Sequence, residues 1–191
     1  SKDISEWDVS DVTNMGRLFS EAEAFNGDLS KWNTDKVTSM REMFSEAEAF
    51  NGDLSNWNTA NVKDMSGMFW DATAFDAGRP DPDGDDRRRD LSNWVTTKVT
   101  SMSFMFFGTE FLKNGPTHDL SKWDTANLKD MSGMWYSPIG VPAAWSSERA
   151  WADVQKRSLT FQNTKTFPTV WNSDGEELEV DPRVQGKREA A

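Results

Sequence analysis

Apolar residues return along the chain in fixed columns. The segment Asp-(Ile/Leu)-Ser-x-Trp occurs at Asp3–Trp7, Asp28–Trp32, Asp53–Trp57, Asp90–Trp94 and Asp119–Trp123, with Trp-to-Trp spacings of 25, 25, 37 and 29. Five residues after each Trp stands Val12, Val37, Val62, Val99 or Leu128. Three later comes Met15, Met40, Met65, Met102 or Met131, and three beyond that Leu18, Met43, Met68, Met105 or Met134. Phe19, Phe44, Phe69, Phe106 or Trp135 follows, and the unit closes on Ala22, Ala47 or Ala72 and then Phe25, Phe50 or Phe75. All nine methionines fall in two of these columns. Self-similarity at one period is the signature of a repeat architecture, in which no unit can bury its apolar face alone.

The spacing Met, +3, +4, +7 is the spacing of one helix face, so each unit is expected to carry a short helix, for example over Thr38–Ala49. Thr13, Thr38 and Thr100 stand where N-caps would be. The alternation in Asp-Leu-Ser-x-Trp predicts a short strand with Leu and Trp inward. Asn26-Gly27 and Asn51-Gly52 would turn the chain at positive φ. The expectation is therefore an α/β repeat solenoid over residues 1–135, of about five coils starting near 3, 28, 53, 90 and 119. A non-repeat cap or tail follows over 136–191.

The breaks in the pattern are the candidate functional segments. Residues 77–89 are an insertion carrying Asp81, Asp83 and Asp85, a weak calcium candidate, because Gly84 is displaced from its place in an EF-type loop. Arg87, Arg88 and Arg89 follow directly, and a solvated loop of partly neutralised charge is the favoured reading. The tail holds Trp145, Trp151 and Trp171, which would either cover the last coil or anchor another protein.

Composition narrows the function. A net charge of −11 disfavours nucleic acid and anionic lipid. Without cysteine there is no disulfide, zinc-thiolate site or thiol nucleophile. No apolar run is long enough for a transmembrane helix, so membrane association would come only through a partner. Ser1 enters almost directly into a repeat without Met or a signal peptide, which reads as a trimmed fragment. His118 is the sole imidazole and stands in a Gly-Pro-Thr-His loop with no visible partner constellation. No catalytic, cofactor or phosphate-binding motif is found, so the chain is read as a non-enzyme with no cofactor. The carboxylates Glu21 and Glu23 recur as Glu46 and Glu48, so they belong to a repeat face. The Asp column that opens each unit is expected to cap backbone amides at a turn.

The columns Leu-Ser-x-Trp-(Asp/Asn)-Thr-x-x-Val-x-x-Met-x-x-Met-Phe-x-x-Ala-x-x-Phe-Asn resemble the BspA-like bacterial surface-protein repeat, known from Listeria, Mycoplasma and lactobacilli, with relatives in protists and algae. The resemblance covers Asp3 to about Trp135 and implies a leucine-rich-repeat-like coil at a cell surface, with adhesion or ligand binding and no catalytic activity. It transfers no functional residue, since the matching positions are core positions. The leading expectation is a non-enzymatic protein-interaction or adhesion module, extracellular or at a cell surface, with protein partners and no nucleic acid. The alternative is a structural accessory subunit of a larger complex, organelle-associated in an alga or protist and gripped through the C-terminal extension. A third reading, ice binding, takes Thr34, Thr59, Thr96 and Thr125 with Val9 as a β-branched ladder on the same side as the Trp column.

Overall fold

Four-residue turns, rather than helices, build the repeats. In the first coil the Leu18 amide donates to the Met15 carbonyl (3.3 Å), Ser20 to Arg17 (3.2 Å) and Ala22 to Phe19 (3.1 Å). These bonds span three residues, where an α-helix spans four. Arg17 and Glu21 have φ of 60° and 62°, the sign that a type II turn requires at its third residue. The same two columns hold Glu42 (53°) and Glu46 (59°), Gly67 (59°) and Asp71 (53°), Phe104 (55°) and Gly108 (75°), then Gly133 (59°). A left-handed residue at every fourth position cannot sit in a right-handed helix.

The computed structural model describes residues 3–76, 91–109, 120, 122–136 and 161–162. Among them there is no α-helix, and the only strands are β1 (Trp135–Tyr136) and β2 (Phe161–Gln162), which pair in parallel. The expected α/β solenoid, with a helix and a strand in every coil, is thereby overturned. The apolar spacing marks the inward columns, but the backbone that carries them is a run of turns. A run of turns with a period near four places the same columns inward as a helix would.

The coils are joined by backbone bonds that leave at alternate residues. Met15, Arg17, Phe19 and Glu21 donate to the carbonyls of Ser39, Arg41, Met43 and Ser45 at 2.7–2.9 Å. Met40, Glu42, Phe44 and Glu46 repeat this toward Asp64, Ser66, Met68 and Trp70. Parallel bridges link Asn14, Ser39, Asp64, Ser101 and Asp130 in one continuous line through five coils. The turns thus satisfy every second amide within the coil, and the neighbouring coil satisfies the others.

Side-chain columns fill the interior. Phe19, Phe44, Phe69 and Phe106 stack with centroids 5.5–5.7 Å apart. Within a coil, Phe44 lies on Phe50 at 3.9 Å and Phe69 on Phe75 at 3.7 Å. Each interior Trp sends its indole N–H to a carbonyl of the preceding coil: Trp32 to Ile4, Trp57 to Leu29, Trp94 to Leu54 and Trp123 to Leu91, at 2.9–3.0 Å. A buried indole needs such an acceptor, which explains why the Trp and Leu columns recur together.

The Asp-Leu-Ser-x-Trp segment is a turn and not a strand. Asp28 Oδ1 accepts the Ser30 amide (2.9 Å) and the Trp32 amide donates to the Leu29 carbonyl (3.1 Å). Asp3 and Asp53 hold Ser5 and Ser55 in the same way, as expected of this column. Thr38 is no helix cap either, because its amide and its hydroxyl both donate to Thr13 of the coil before. Gly27 and Gly52 are not in the positive-φ region. They are small because a Cβ there would lie 2.9 Å from the ring of Phe25 or Phe50.

Candidate interaction surface

Two columns, two and five residues after the first Met, lie outside the inner cluster. In coils 1 and 2 they hold Arg17, Ser20, Glu42 and Ser45; in coils 3 and 4 they hold Gly67, Trp70, Phe104 and Phe107. The +2 residues Arg17, Glu42, Gly67 and Phe104 all have positive φ.

In coils 1 and 2 the columns form an ion cluster. Arg17 Nε donates to Glu42 Oε2 at 2.6 Å, while Arg41 Nη2 reaches Glu42 Oε1 at 3.0 Å. Burial works against the Glu42 charge, yet the hydrogen bonds from Arg17 and Arg41 outweigh it. The carboxyl is held below the usual glutamate range. Further charge pairs run coil to coil at a 25-residue offset, Lys31 to Glu6 and Lys36 to Asp11. They are exposed, and such pairs contribute little.

In coils 3 and 4 the same columns become aromatic. Trp70 and Phe104 are half-buried with centroids 5.8 Å apart, and Phe107 is buried, edge-on to Trp70 at 6.5 Å and 6.0 Å from Phe104. The Phe104 ring lies over Gly133, where a Cβ would come within 2.6 Å of it. Trp70 and Phe104, partly exposed beside the buried Phe107 on a backbone fixed by inter-coil bonds, form a preorganised apolar patch. Sequence reading did not single these residues out. The available signal was the change of a polar column to an aromatic one between Ser45 and Trp70.

The other expected sites fare differently. Asp81, Asp83 and Asp85, Arg87, Arg88 and Arg89, His118, and Trp145, Trp151 and Trp171 all lie outside the described residues. Among the described residues no cluster of three or more acidic or His side chains could hold a metal ion. No helix there is long and apolar enough to cross a membrane. Glu21, Glu23, Glu46 and Glu48 are exposed, as a repeat face requires. The Thr ladder is turned inward: Thr34, Thr59 and Thr96 are each 1% exposed. Their hydroxyls donate to the carbonyls of Asn58, Val95 and Asp124 in the next coil, at 2.9–3.0 Å. A ladder so placed offers no hydroxyl face to ice.

With the repeat geometry established, comparison with family models gives one match, over residues 1–80 and 84–175, to the family described as "Mycoplasma protein of unknown function, DUF285". The chain belongs to the DUF285 family. The match runs well past Trp135, where the recognisable columns stop, so the DUF285 pattern includes much of the segment read as a cap or tail. It is a match to DUF285 as a whole, and the narrower BspA-like resemblance stands on the residue columns alone. Neither the curated proteins nor the solved structures provide a match for the chain.

Proposed function

We propose that this DUF285 chain is a non-enzymatic interaction module, an adhesion or protein-binding element at a cell surface. It makes its contacts through the aromatic surface of coils 3 and 4. The observation that supports the reading is that Trp70 and Phe104 replace the polar Ser20, Ser45, Arg17 and Glu42 of coils 1 and 2 and remain partly exposed beside the buried Phe107. Aromatic anchors with a charged rim are the composition of binding hot spots. The acidic surface keeps the module away from anionic polymers, and favours partners with a basic or neutral rim.

A peptide and glycan array probed with the labelled chain tests the reading. Binding to a defined subset of features is expected, weakened at least about ten-fold by the double change Trp70→Ser and Phe104→Ser, which corresponds to about 1.4 kcal/mol. Uniform silence, or binding indifferent to that double change, would overturn it.

A further inference from the structure

The aromatic patch has two flanks that differ in charge. On one side it adjoins Glu42: a Cβ at Gly67 would lie 3.0 Å from Glu42 Cγ and 3.9 Å from Trp70 Cβ. There the Glu42 charge is answered by Arg17 and Arg41. On the other side, the column next to Ser20, Ser45, Trp70 and Phe107 holds Glu21, Glu46, Asp71 and Gly108. Backbone bonds set the acidic column against the aromatic one. The Glu46 amide donates to the Trp70 carbonyl at 2.6 Å, and the Asp71 amide to the Phe107 carbonyl at 2.7 Å.

The second flank carries excess negative charge. Residues 20–24, 45–49 and 70–74 of coils 1 to 3 contain Glu21, Glu23, Glu46, Glu48 and Asp71, and no Lys or Arg. Inter-coil bonds from Glu21, Glu46, Ala49 and Ala74 hold the three stretches side by side. The four glutamates are exposed, and none of them makes an ion pair with a described residue. Neighbouring coils sit about 4.8 Å apart, so Glu21, Glu46 and Asp71 repel one another along their column. Elsewhere the same stacking brings opposite charges together, as in Lys31 with Glu6 and Lys36 with Asp11.

An apolar surface bounded by excess negative charge fits a ligand with apolar and cationic parts. Arginine supplies both: its stem is apolar, its flat guanidinium packs on aromatic rings, and it takes a carboxylate in a bidentate pair. An acidic segment would meet repulsion from these carboxylates, and an uncharged one would desolvate them in part without compensation. We propose that the aromatic patch of coils 3 and 4 docks an arginine-bearing segment of another protein. Its side-chain stems pack over Trp70 and Phe104, and its guanidinium groups turn toward Glu46, Glu48 and Asp71. This rests on the reading of the patch as a binding surface and names the chemistry of its partner.

Three labelled peptides titrated into the full chain by fluorescence anisotropy test it: one alternating Arg with Leu, one with Gln for Arg, and one with Glu for Arg. The Arg peptide is expected to bind saturably, at least about ten-fold more tightly than the Gln peptide, and the Glu peptide not at all. Trp70→Ser with Phe104→Ser should weaken the Arg peptide at least about ten-fold. Glu46→Gln with Glu48→Gln should weaken it at least about five-fold, and leave the Gln peptide unchanged. Both glutamates are exposed, so this variant should keep the urea midpoint of the native chain. Binding that survives either double change overturns the proposal, as general charge attraction in the first case and as a purely apolar contact in the second. Equal binding of the Arg and Gln peptides, both lost on the aromatic change, overturns the basic partner and keeps the patch as a binding surface. An Arg peptide that does not bind overturns the proposal alone if uncharged array features still bind and are lost on the aromatic change. Affinity that rises at least about ten-fold on changing Arg87, Arg88 and Arg89 to Ser would make the chain's own arginines the occupant, against a separate partner.

Discussion

The indole of Trp57 donates to the carbonyl of Leu29, twenty-eight residues earlier and one coil away, at 3.0 Å. Both residues are buried, so the bond cannot be replaced by water. Trp57→Phe removes the donor and part of the ring while keeping most of the apolar volume. It is expected to cost about 1–3 kcal/mol, the price of a buried acceptor left unpaired. Trp57→Ala adds a cavity and should cost about 3–5 kcal/mol. Trp7→Phe, in the same column but exposed, should stay within about 0.5 kcal/mol. Urea unfolding of the three variants gives the comparison, and equal losses at Trp7 and Trp57 would contradict the ladder.

Glu46 distinguishes a turn from a helix by the sign of one substitution. In a helix interior, replacement by Gly costs about 1 kcal/mol. At φ 59° the left-handed strain of a non-glycine residue is relieved instead, offset by the extra freedom of the unfolded chain. Glu46→Gly is therefore expected to be neutral or stabilising by up to about 1 kcal/mol. Glu46→Pro should prevent the coil from closing, since Pro fixes φ near −65° and the Glu46 amide bonds to Trp70. Thermal and urea melts of the two variants check this, and a loss on Glu46→Gly would restore the helix.

That residue also shows how far the sequence can be read. The columns locate nearly all of the core: Leu29, Trp32, Val37, Met40, Met43, Phe44, Ala47 and Phe50 are all buried. Hydrophobic spacing reports which side chains face inward and is nearly blind to the backbone that brings them there. A helix face and a run of four-residue turns share the +3, +4, +7 pattern. The positive-φ columns hold Arg17, Glu21, Glu42, Glu46, Asp71 and Phe104, none of them the Gly or Asn that normally announces a turn. They are held there by bonds to the neighbouring coil, a tertiary constraint with no local mark in the sequence. Gly67, Gly108 and Gly133 in the same two columns are the trace that could have been followed. The aromatic surface was legible in principle through Trp70 and Phe107, but a search for the repeat sets aside the positions that do not conform to it.

The Glu42 carboxyl gives the fold one identifiable acid-sensitive contact. Burial opposes its charge, Arg17 and Arg41 favour it more, and its pKa is lowered on folding. A lowered carboxyl adds stability that is fully present above the unfolded-state value of about 4.3 and is lost as pH falls through the folded value. Stability of the native chain should therefore decline on acidification below about pH 5. Asp3 and Asp28, lowered by hydrogen bonds from Ser5 and Ser30, add to the same slope. Glu42→Gln should narrow the gap to the native chain as pH falls, because the ion cluster is then lost in both. Urea midpoints at pH 7 and at about pH 3.5, below the ordinary glutamate value, provide the check. A gap that widens with acid would contradict the assigned direction.

Thr59 shows the Thr ladder to be buried. Its hydroxyl donates to the Val95 carbonyl at 3.0 Å, across the insertion between coils 3 and 4, and the side chain is buried. Thr59→Val preserves shape and branching but removes that donor, and should cost about 1 kcal/mol. Thr59→Ser keeps the hydroxyl and loses a methyl, for a transfer loss of about 0.8 kcal/mol plus any cavity left behind. On an exposed ladder both changes would be close to neutral, since surface substitutions stay within about 0.5 kcal/mol. Paired urea curves for Thr34→Val, Thr59→Val and Thr96→Val should show three similar losses, because all three hydroxyls make the same inter-coil bond. Thermal hysteresis should be absent in the native chain. Hysteresis abolished by the Val substitutions, with stability unchanged, would place the ladder on the outside.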